Sequence, residues 1–147
     1  MSRPYRVYFA RAVDELSRPA VLAQGATLAA RLRPLGAELV DPVAVWDLSP
    51  LDPSPGDLVA SDLRTLRTCD AVLMDMTIPN RNYIGCVCEL TYAYLWEIPS
   101  VVWVGDTGYE RRPWLRFHAT AIVPDEHRAV QELGTLLRSG RRPPPTQ

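Results

Sequence analysis

Strand-length apolar runs alternate along this chain with segments of helical periodicity, and this alternation restricts its possible folds more than any other feature. The runs YRVYFA, AVLMDM and SVVWVG are almost continuously apolar, which is typical of strands that are covered on both faces. A helical segment separates each run from the next, and crossovers between parallel strands are almost always right-handed. The sequence therefore predicts a parallel sheet between two layers of helices.

The predicted fold class is α/β: a single-domain, doubly wound sandwich of the flavodoxin-like or Rossmann-like kind, with a parallel sheet of roughly five strands. We place the strands at residues 5–10, 37–42, 71–76, 100–105 and 120–123, and the main helices at 19–35, 57–69, 84–96 and 125–140. One domain is predicted over residues 1–140, and the proline-rich tail 141–147 is predicted to be disordered. Ligands of such folds bind at the carboxyl ends of the strands, which here are residues 10–14, 41, 77–83 and 105–109.

The charge and cysteine content disfavour several classes of function. The net charge of -1 provides no basic surface for nucleic acid or for an anionic membrane, and no apolar run reaches the roughly 20 residues of a membrane span. Every basic residue is arginine, which excludes Walker-type phosphate loops and pyridoxal Schiff bases because both need lysine. Three cysteines and the lack of an apolar leader predict a cytoplasmic protein with reduced thiols.

Two carboxylates lie at positions where core residues are expected. In the helix predicted at residues 57–69, Asp62 is four residues from both Leu58 and Leu66 and so shares their apolar stripe. Glu89 lies in the second turn of an almost wholly apolar helix, with small residues next to it on the helix surface. Burying an isolated charge is costly, so such groups are usually paired, hydrogen-bonded or functional.

The residues alone leave two interpretations of this pair open. In the structural one, Glu89 accepts hydrogen bonds from the long proline-rich loop of residues 42–56, and Asp62 caps a turn. In the functional one, the two carboxylates act as nucleophile and general acid on a glycosidic bond, because paired carboxylates are the usual groups of that reaction.

Four stretches in this order, VYFA, AELVDP, DLRTLRTCDAVLMDMT and GCVCELTYAYLWEIPSVV, resemble the nucleoside 2-deoxyribosyltransferase superfamily, which also includes nucleoside-monophosphate N-glycosidases. The likeness covers residues 5–105. It implies an enzyme that passes the (deoxy)ribosyl group of a nucleoside or nucleotide to another base or to water, without a metal or cofactor. It also implies a homo-oligomer in which the neighbouring chain completes the active site.

The resemblance assigns roles to individual residues. Glu89 matches the nucleophile that attacks C1′ and forms a glycosyl ester, so that the configuration is retained. Asp62 matches the acidic residue that handles the proton of the base, and Tyr8 matches a tyrosine that orients the nucleophile. Gly85, which opens the motif that contains Glu89, is assigned to the substrate site.

The positions that recognise the sugar differ from the family pattern. Transferases carry an acidic residue six positions before the nucleophile, and the monophosphate glycosidases carry a serine; here Tyr83 occupies that position, with Asn82 beside it. After the first strand, Arg11 could hold a 5′-phosphate, whereas Asp14 would repel one. We assign these four residues to substrate binding and expect an unusual base or sugar.

The other polar or aromatic candidates have two interpretations each. Asp75, at the end of the third strand, could bind substrate hydroxyls or cap the following loop. Cys86 and Cys88 would point about 200° apart on a helix, which favours core packing over a metal or redox pair, and no metal site is predicted. Trp46 and Trp114, both on predicted loops, could form an aromatic wall for a base.

Other functions fit part of the pattern. An NAD-cleaving domain of the Toll/interleukin-receptor type has a similar sheet and a catalytic glutamate, and a nucleoside 5′-monophosphate N-glycosidase is kept as an alternative because of Arg11. A binding protein could have kept the fold and lost turnover. A phospho-receiver is disfavoured, because it needs a lysine near the fourth strand and this chain has none.

Overall fold

Buried apolar side chains cover both faces of a five-stranded parallel sheet in the computed structural model, which describes residues 3–47 and 54–140. The strands are β1 (Tyr5–Arg11), β2 (Ala37–Val40), β3 (Ala71–Asp75), β4 (Ser100–Trp103) and β5 (Ala121–Val123). Every pairing is parallel, and the strand order is β2-β1-β3-β4-β5. The predicted α/β, doubly wound fold class is confirmed.

The helices lie on both sides of this sheet. In the part of the chain that the structure describes they are α1 (Arg18–Leu32), α2 (Pro42–Asp47), α3 (Pro55–Arg67), α4 (Ile84–Leu95), α5 (Pro113–His118) and α6 (Glu126–Ser139). One core cluster joins α1 and α6 to Val7 and Phe9 of β1, and the other joins α3, α4 and α5 to Tyr8 and Ala10. Because the strand order reverses between β1 and β3, a crevice is expected between the loops that follow these two strands.

Side-chain caps define where three of the helices begin. Ser17, Ser54 and Asp125 precede α1, α3 and α6, and each accepts a hydrogen bond from the backbone N–H three residues further on. The cap at Asp125 was expected from the sequence. By contrast, α2 and α5 lie in segments predicted as loops, because a helix of only six residues is too short to show a helical period. Trp46 and Trp114 therefore lie in helices.

A buried ion pair joins β1 to the end of β2 on the α1 side of the sheet. Arg11 Nη2 lies 2.7 Å from Asp41 Oδ2, and these side chains are only 3% and 10% exposed. Arg11 Nη1 also donates a hydrogen bond to Gln24 of α1. A Cβ atom at Gly25 would lie 2.4 Å from Asp41 Oδ2, so only glycine lets α1 come this close to the ion pair.

Three of the sequence-based predictions concern residues outside the described part. They are the disorder of the tail 141–147, the conformation of residues 48–53 in the proline-rich loop, and the aromatic wall assigned to the side chain of Trp46. None of the helices within residues 3–47 and 54–140 is long and apolar enough to cross a membrane.

Candidate active site

Glu89 and Tyr8 meet between α4 and β1. Cys86, Leu90 and Ala93 are the buried residues of α4, which packs against β1, β3 and β4. Glu89 follows Cys86 by three residues and precedes Ala93 by four, so its side chain lies beside this buried stripe. There the Tyr8 hydroxyl interacts with the Glu89 carboxylate as a hydrogen-bond donor. Since Tyr8 itself is 1% exposed, the donor is held in place by the core.

Asp62 approaches the same pair from α3, which packs against α4. Its charge acts on both Glu89 and Tyr8. The apolar stripe predicted for α3 is buried at one end only: Leu66 is inaccessible to solvent, whereas Leu58 is 36% exposed. Asp62 lies between them, partly buried and in the middle of the helix rather than at a turn. The structure therefore brings together the three residues to which the sequence assigned catalysis.

The surroundings of Glu89 oppose its ionisation. Burial is the main cause that raises its pKa, to about 7, and the charge of Asp62 raises the pKa further, while the hydrogen bond from Tyr8 lowers it. Burial and the neighbouring Glu89 also raise the pKa of Tyr8, so the phenol stays protonated and remains a donor. Near neutral pH the Glu89 carboxylate is thus divided between its charged and neutral forms.

No arginine of residues 3–47 and 54–140 forms an ion pair with Glu89. Those of them that form ion pairs contact other carboxylates. A carboxylate that is mostly buried, bound by a neutral donor and close to a second carboxylate is costly in a purely structural role, and such groups are often found at functional sites.

Arg11 and Asp75 lie on the other face of the sheet. Because side chains alternate along β1, Arg11 points toward α1 and away from Tyr8, and it is occupied by its ion pair with Asp41. Asp75 accepts hydrogen bonds from Gln24 and from the backbone and hydroxyl of Thr77. The structure does not bring these two side chains to Glu89, and Asp75 does cap the loop that follows it. Their assignment to substrate binding stays a prediction.

Two of the other predicted binding residues, Asp14 and Gly85, lie near the first turn of α4. Asp14 is exposed; burial is the main cause that raises the pKa of Cys86, and the charges of Glu89, Asp75 and Asp14 raise it further. Gly85 is exposed, with open space where a side chain would project. Both positions are compatible with a ligand that reaches Glu89 from the carboxyl edge of the sheet.

Tyr83 and Asn82 are engaged in local hydrogen bonds. Tyr83 is 7% exposed, and its hydroxyl accepts a hydrogen bond from the backbone N–H of Ile78. Asn82 is exposed, and its Oδ1 accepts from the N–H of Ile84 at the start of α4. Both side chains line a cavity of about 440 Å³ between α4 and α5, whose apolar walls include Trp114. Their contact with a sugar stays a prediction.

Sequence reasoning did not single out Gln24, Asp41 or Tyr109. Gln24 had a detectable signal, because it lies between Val21 and Leu28 on the buried stripe of α1, just as Asp62 does on α3. Asp41 was predicted to lie at the end of the second strand and Tyr109 in the loop after the fourth, but nothing in the sequence indicated a contact for either. Their roles come from contacts between distant parts of the chain.

The described residues contain no group of three or more His, Cys, Asp or Glu side chains that could hold a metal ion. All three cysteines are free; Cys86 is buried and Cys88 is exposed, which agrees with the different directions expected on a helix. His118 stacks on Trp114 of α5, and His127 is exposed on α6.

Known proteins resemble this chain in structure but not in sequence. No family model matches the chain, and no curated protein is significantly similar to it. The structure of a 2-deoxyribosyltransferase from Leishmania mexicana has a TM-score of 0.69 and 16% sequence identity, with 90% of this chain and 98% of that chain covered. A 2-deoxyribosyltransferase from Bacillus psychrosaccharolyticus has a TM-score of 0.64 and 17% identity, with 88% and 90% covered.

An N-glycosidase has the same architecture. The CMP N-glycosidase BcmB of Clostridium botulinum gives a TM-score of 0.56 and 17% identity, with 88% of this chain and 98% of that chain covered. At such identities the likeness concerns the fold. The chain thus has, over most of its length, the fold of these deoxyribosyltransferases and of this N-glycosidase, as the resemblance in the sequence implied.

Proposed function

We propose that the protein cleaves the N-glycosidic bond of a nucleoside-like substrate with retention of configuration and passes the (deoxy)ribosyl group to another base or to water. The observation that carries this proposal is the meeting of Tyr8, Asp62 and Glu89, three residues from β1, α3 and α4, around a carboxylate that no arginine of the described residues neutralises. The fold shared with deoxyribosyltransferases and with a CMP N-glycosidase supports it.

In the first step a carboxylate oxygen of Glu89 attacks C1′ of the sugar. A C1′–O bond forms as the C1′–N bond breaks, and the electron pair of the broken bond goes to the base. Asp62 gives a proton to the departing base and so makes it a better leaving group; while Asp62 carries this proton it is neutral, and its charge no longer opposes the ionisation of Glu89. Tyr8 orients Glu89 through its hydrogen bond during this step.

In the second step the glycosyl ester is resolved. A nitrogen of a second base, or a water molecule, attacks C1′ from the opposite face while Asp62 accepts its proton, and Glu89 leaves as a carboxylate. Transfer and hydrolysis differ only in which acceptor arrives first.

Hydrolysis of a 5′-monophosphate is the second candidate, because a CMP N-glycosidase has this fold. The burial of Arg11 in an ion pair on the opposite face, and the acidic Asp14 near α4, weigh against it.

We also propose that the protein works as a cytoplasmic homo-oligomer whose partner chain completes the pocket. The three free cysteines support a reducing compartment. Large apolar side chains lie exposed near the first turn of α4, at Ile84 of that helix and at Trp114 and Phe117 of α5. Aromatic residues of this kind are typical anchors of protein interfaces, and here they lie close to Gly85 and the site.

The oligomer can be tested by replacing an exposed anchor. We expect the parent protein to run as a dimer or larger species in light scattering, and Trp114→Ser to shift it toward the monomer with a loss of activity. Leu95→Ser, which removes an exposed apolar side chain at the far end of α4, is the control and should change neither. A monomeric parent that is fully active would refute the shared site.

The central prediction concerns the two carboxylates. With a panel of nucleosides, nucleotides and NAD, free base measured by chromatography should appear with the parent and fall at least about 1000-fold in Glu89→Ala, because the nucleophile is lost. Asp62→Asn should slow release by roughly 100-fold or more, because the leaving base is no longer protonated. The glycosyl ester should be visible by mass spectrometry on a peptide that contains Glu89.

Asp106→Asn is the matched control, since it removes an exposed carboxylate at the same edge of the sheet and should leave the rate unchanged. Release of base by Glu89→Ala at the parent rate would disprove the mechanism. Release of nicotinamide from NAD alone would instead favour an NAD-cleaving activity.

The pH dependence follows from the requirement that Glu89 be ionised. kcat/KM should fall below a pH of about 7, roughly tenfold per pH unit, because protonated Glu89 cannot attack. In Tyr8→Phe the hydrogen bond that lowers the pKa of Glu89 is lost, so the acidic limb should move to higher pH. A profile that stays flat to pH 5 in the parent protein would rule out Glu89 as the group that must be ionised.

The free energy of unfolding should also depend on the ionisation of Glu89. The pKa of Glu89 rises from 4.5 to about 7 on folding, so the folded state binds more protons between these values and loses stability as the pH increases through them. Above pH 7 the cost is about 3 kcal/mol. Glu89→Gln cannot ionise, and at pH 8 it should therefore raise the free energy of unfolding measured in urea by up to ~3 kcal/mol, with the gain vanishing near pH 4. If Glu89→Gln is less stable than the parent at pH 8, the carboxylate has a structural role.

A further inference from the structure

Both backbone polar groups of Ile78 are bound by tyrosine side chains. The N–H of Ile78 donates to Tyr83 Oη at 3.0 Å, and Tyr109 Oη donates to the carbonyl oxygen of Ile78 at 3.3 Å. The two rings meet edge to face, with their centroids 5.9 Å apart. We call this arrangement of Ile78, Tyr83 and Tyr109 the tyrosine clamp.

The tyrosine clamp connects the two loops that follow β3 and β4. Ile78 lies in the loop after β3, Tyr83 is the residue before the first turn of α4, and Tyr109 begins a 3-10 turn in the loop after β4. The base of the first loop is fixed separately, because Asp75 accepts hydrogen bonds from both the N–H and the hydroxyl of Thr77. The loop that leads into α4 is thus held at its base, in its middle and at its end.

Tyr83 also connects the clamp to Glu89. Its ring belongs to the same core cluster as Tyr8, and its carbonyl oxygen accepts the first hydrogen bond of α4, from the N–H of Val87 at 2.9 Å. Glu89 follows six residues later, about one and two-thirds helical turns or ~9 Å along the axis. Because a helix of this length moves as a rigid unit, the position of Tyr83 determines the position of the Glu89 side chain relative to the Tyr8 hydroxyl.

We propose that Tyr83 and Tyr109 are positioning residues for the nucleophile: by holding Ile78 they set the first turn of α4 so that Glu89 stays opposite Tyr8. This inference rests on the proposed function. It gives Tyr83 a different role from the sugar contact expected at its position in the sequence, since its hydroxyl accepts a backbone hydrogen bond within the protein. The neutral tyrosine at this position acts on Glu89 through the backbone.

Tyr83→Phe and Tyr109→Phe test the clamp, because each keeps the ring and removes one hydrogen bond to Ile78. We expect kcat to fall about tenfold in each variant while KM stays within about twofold, since a small displacement of a reacting group slows the chemical step more than it weakens binding. The acidic limb of the pH profile should also shift, because the interaction of Tyr8 with Glu89 is disturbed. Tyr92→Phe, which removes a hydroxyl from the exposed face of α4, should match the parent.

A second measurement tests the tyrosine clamp independently of enzyme activity. In Tyr83→Phe the amide hydrogen of Ile78 should exchange with solvent at least about tenfold faster than in the parent, measured by NMR. If both variants have the kcat of the parent and an unshifted pH profile, the inference is overturned. It is also overturned if the loss of kcat is fully explained by a loss of folded protein measured by circular dichroism. A parent protein that releases no base from any substrate would instead refute the proposed function, and unchanged exchange at Ile78 would refute the clamp itself.

Discussion

The alternation of side chains along β1 divides the molecule into two chemically different halves. Tyr8 points into the layer of α3 and α4, where it meets Glu89, whereas Arg11 points into the layer of α1, where it pairs with Asp41. A slip of one residue in the pairing of β1 would exchange these environments, because neighbouring side chains of a strand face opposite sides of the sheet. The parallel pairing of β1 with β2 and β3 fixes the register and thereby gives Glu89 a hydroxyl neighbour instead of a guanidinium.

The carboxylates in the two halves differ in how their charge is compensated. Asp41 is compensated by the full charge of Arg11 at 2.7 Å, and Gly25 makes room for both. Glu89 has no cationic partner among the described residues: burial and, to a lesser extent, the charge of Asp62 raise its pKa to about 7, although the hydrogen bond from Tyr8 lowers it. The first arrangement holds strands and helix together. The second costs stability, a trade-off that is usual at catalytic sites and that supports the role proposed for Glu89.

Helical periodicity identified two residues of the candidate site, because it needs only the spacing of residues within one helix. It identified Asp62 on the stripe of α3 and Glu89 on the stripe of α4, and the same reasoning applied to Gln24 would have found a third partly buried polar group. Alternation along the predicted strand would have placed Arg11 on the face opposite Tyr8, but it could not show that Arg11 pairs with Asp41, because that requires knowing that β2 lies beside β1. The pattern likewise gave no reason to connect Tyr109 with the loop before α4.

The sequence by itself determined the fold class, the strands and long helices, and the identity of the two unusual carboxylates, because these depend on local periodicity and on the cost of burying a charge. Only the tertiary structure decided which polar groups meet. It brought Tyr8, Asp62 and Glu89 together from three separate elements, and it placed the side chain of Arg11 beside Asp41. The reason is physical: a pKa and an ion pair depend on distances between side chains that are far apart in the chain, and these distances exist only once the sheet and its two helical layers have packed.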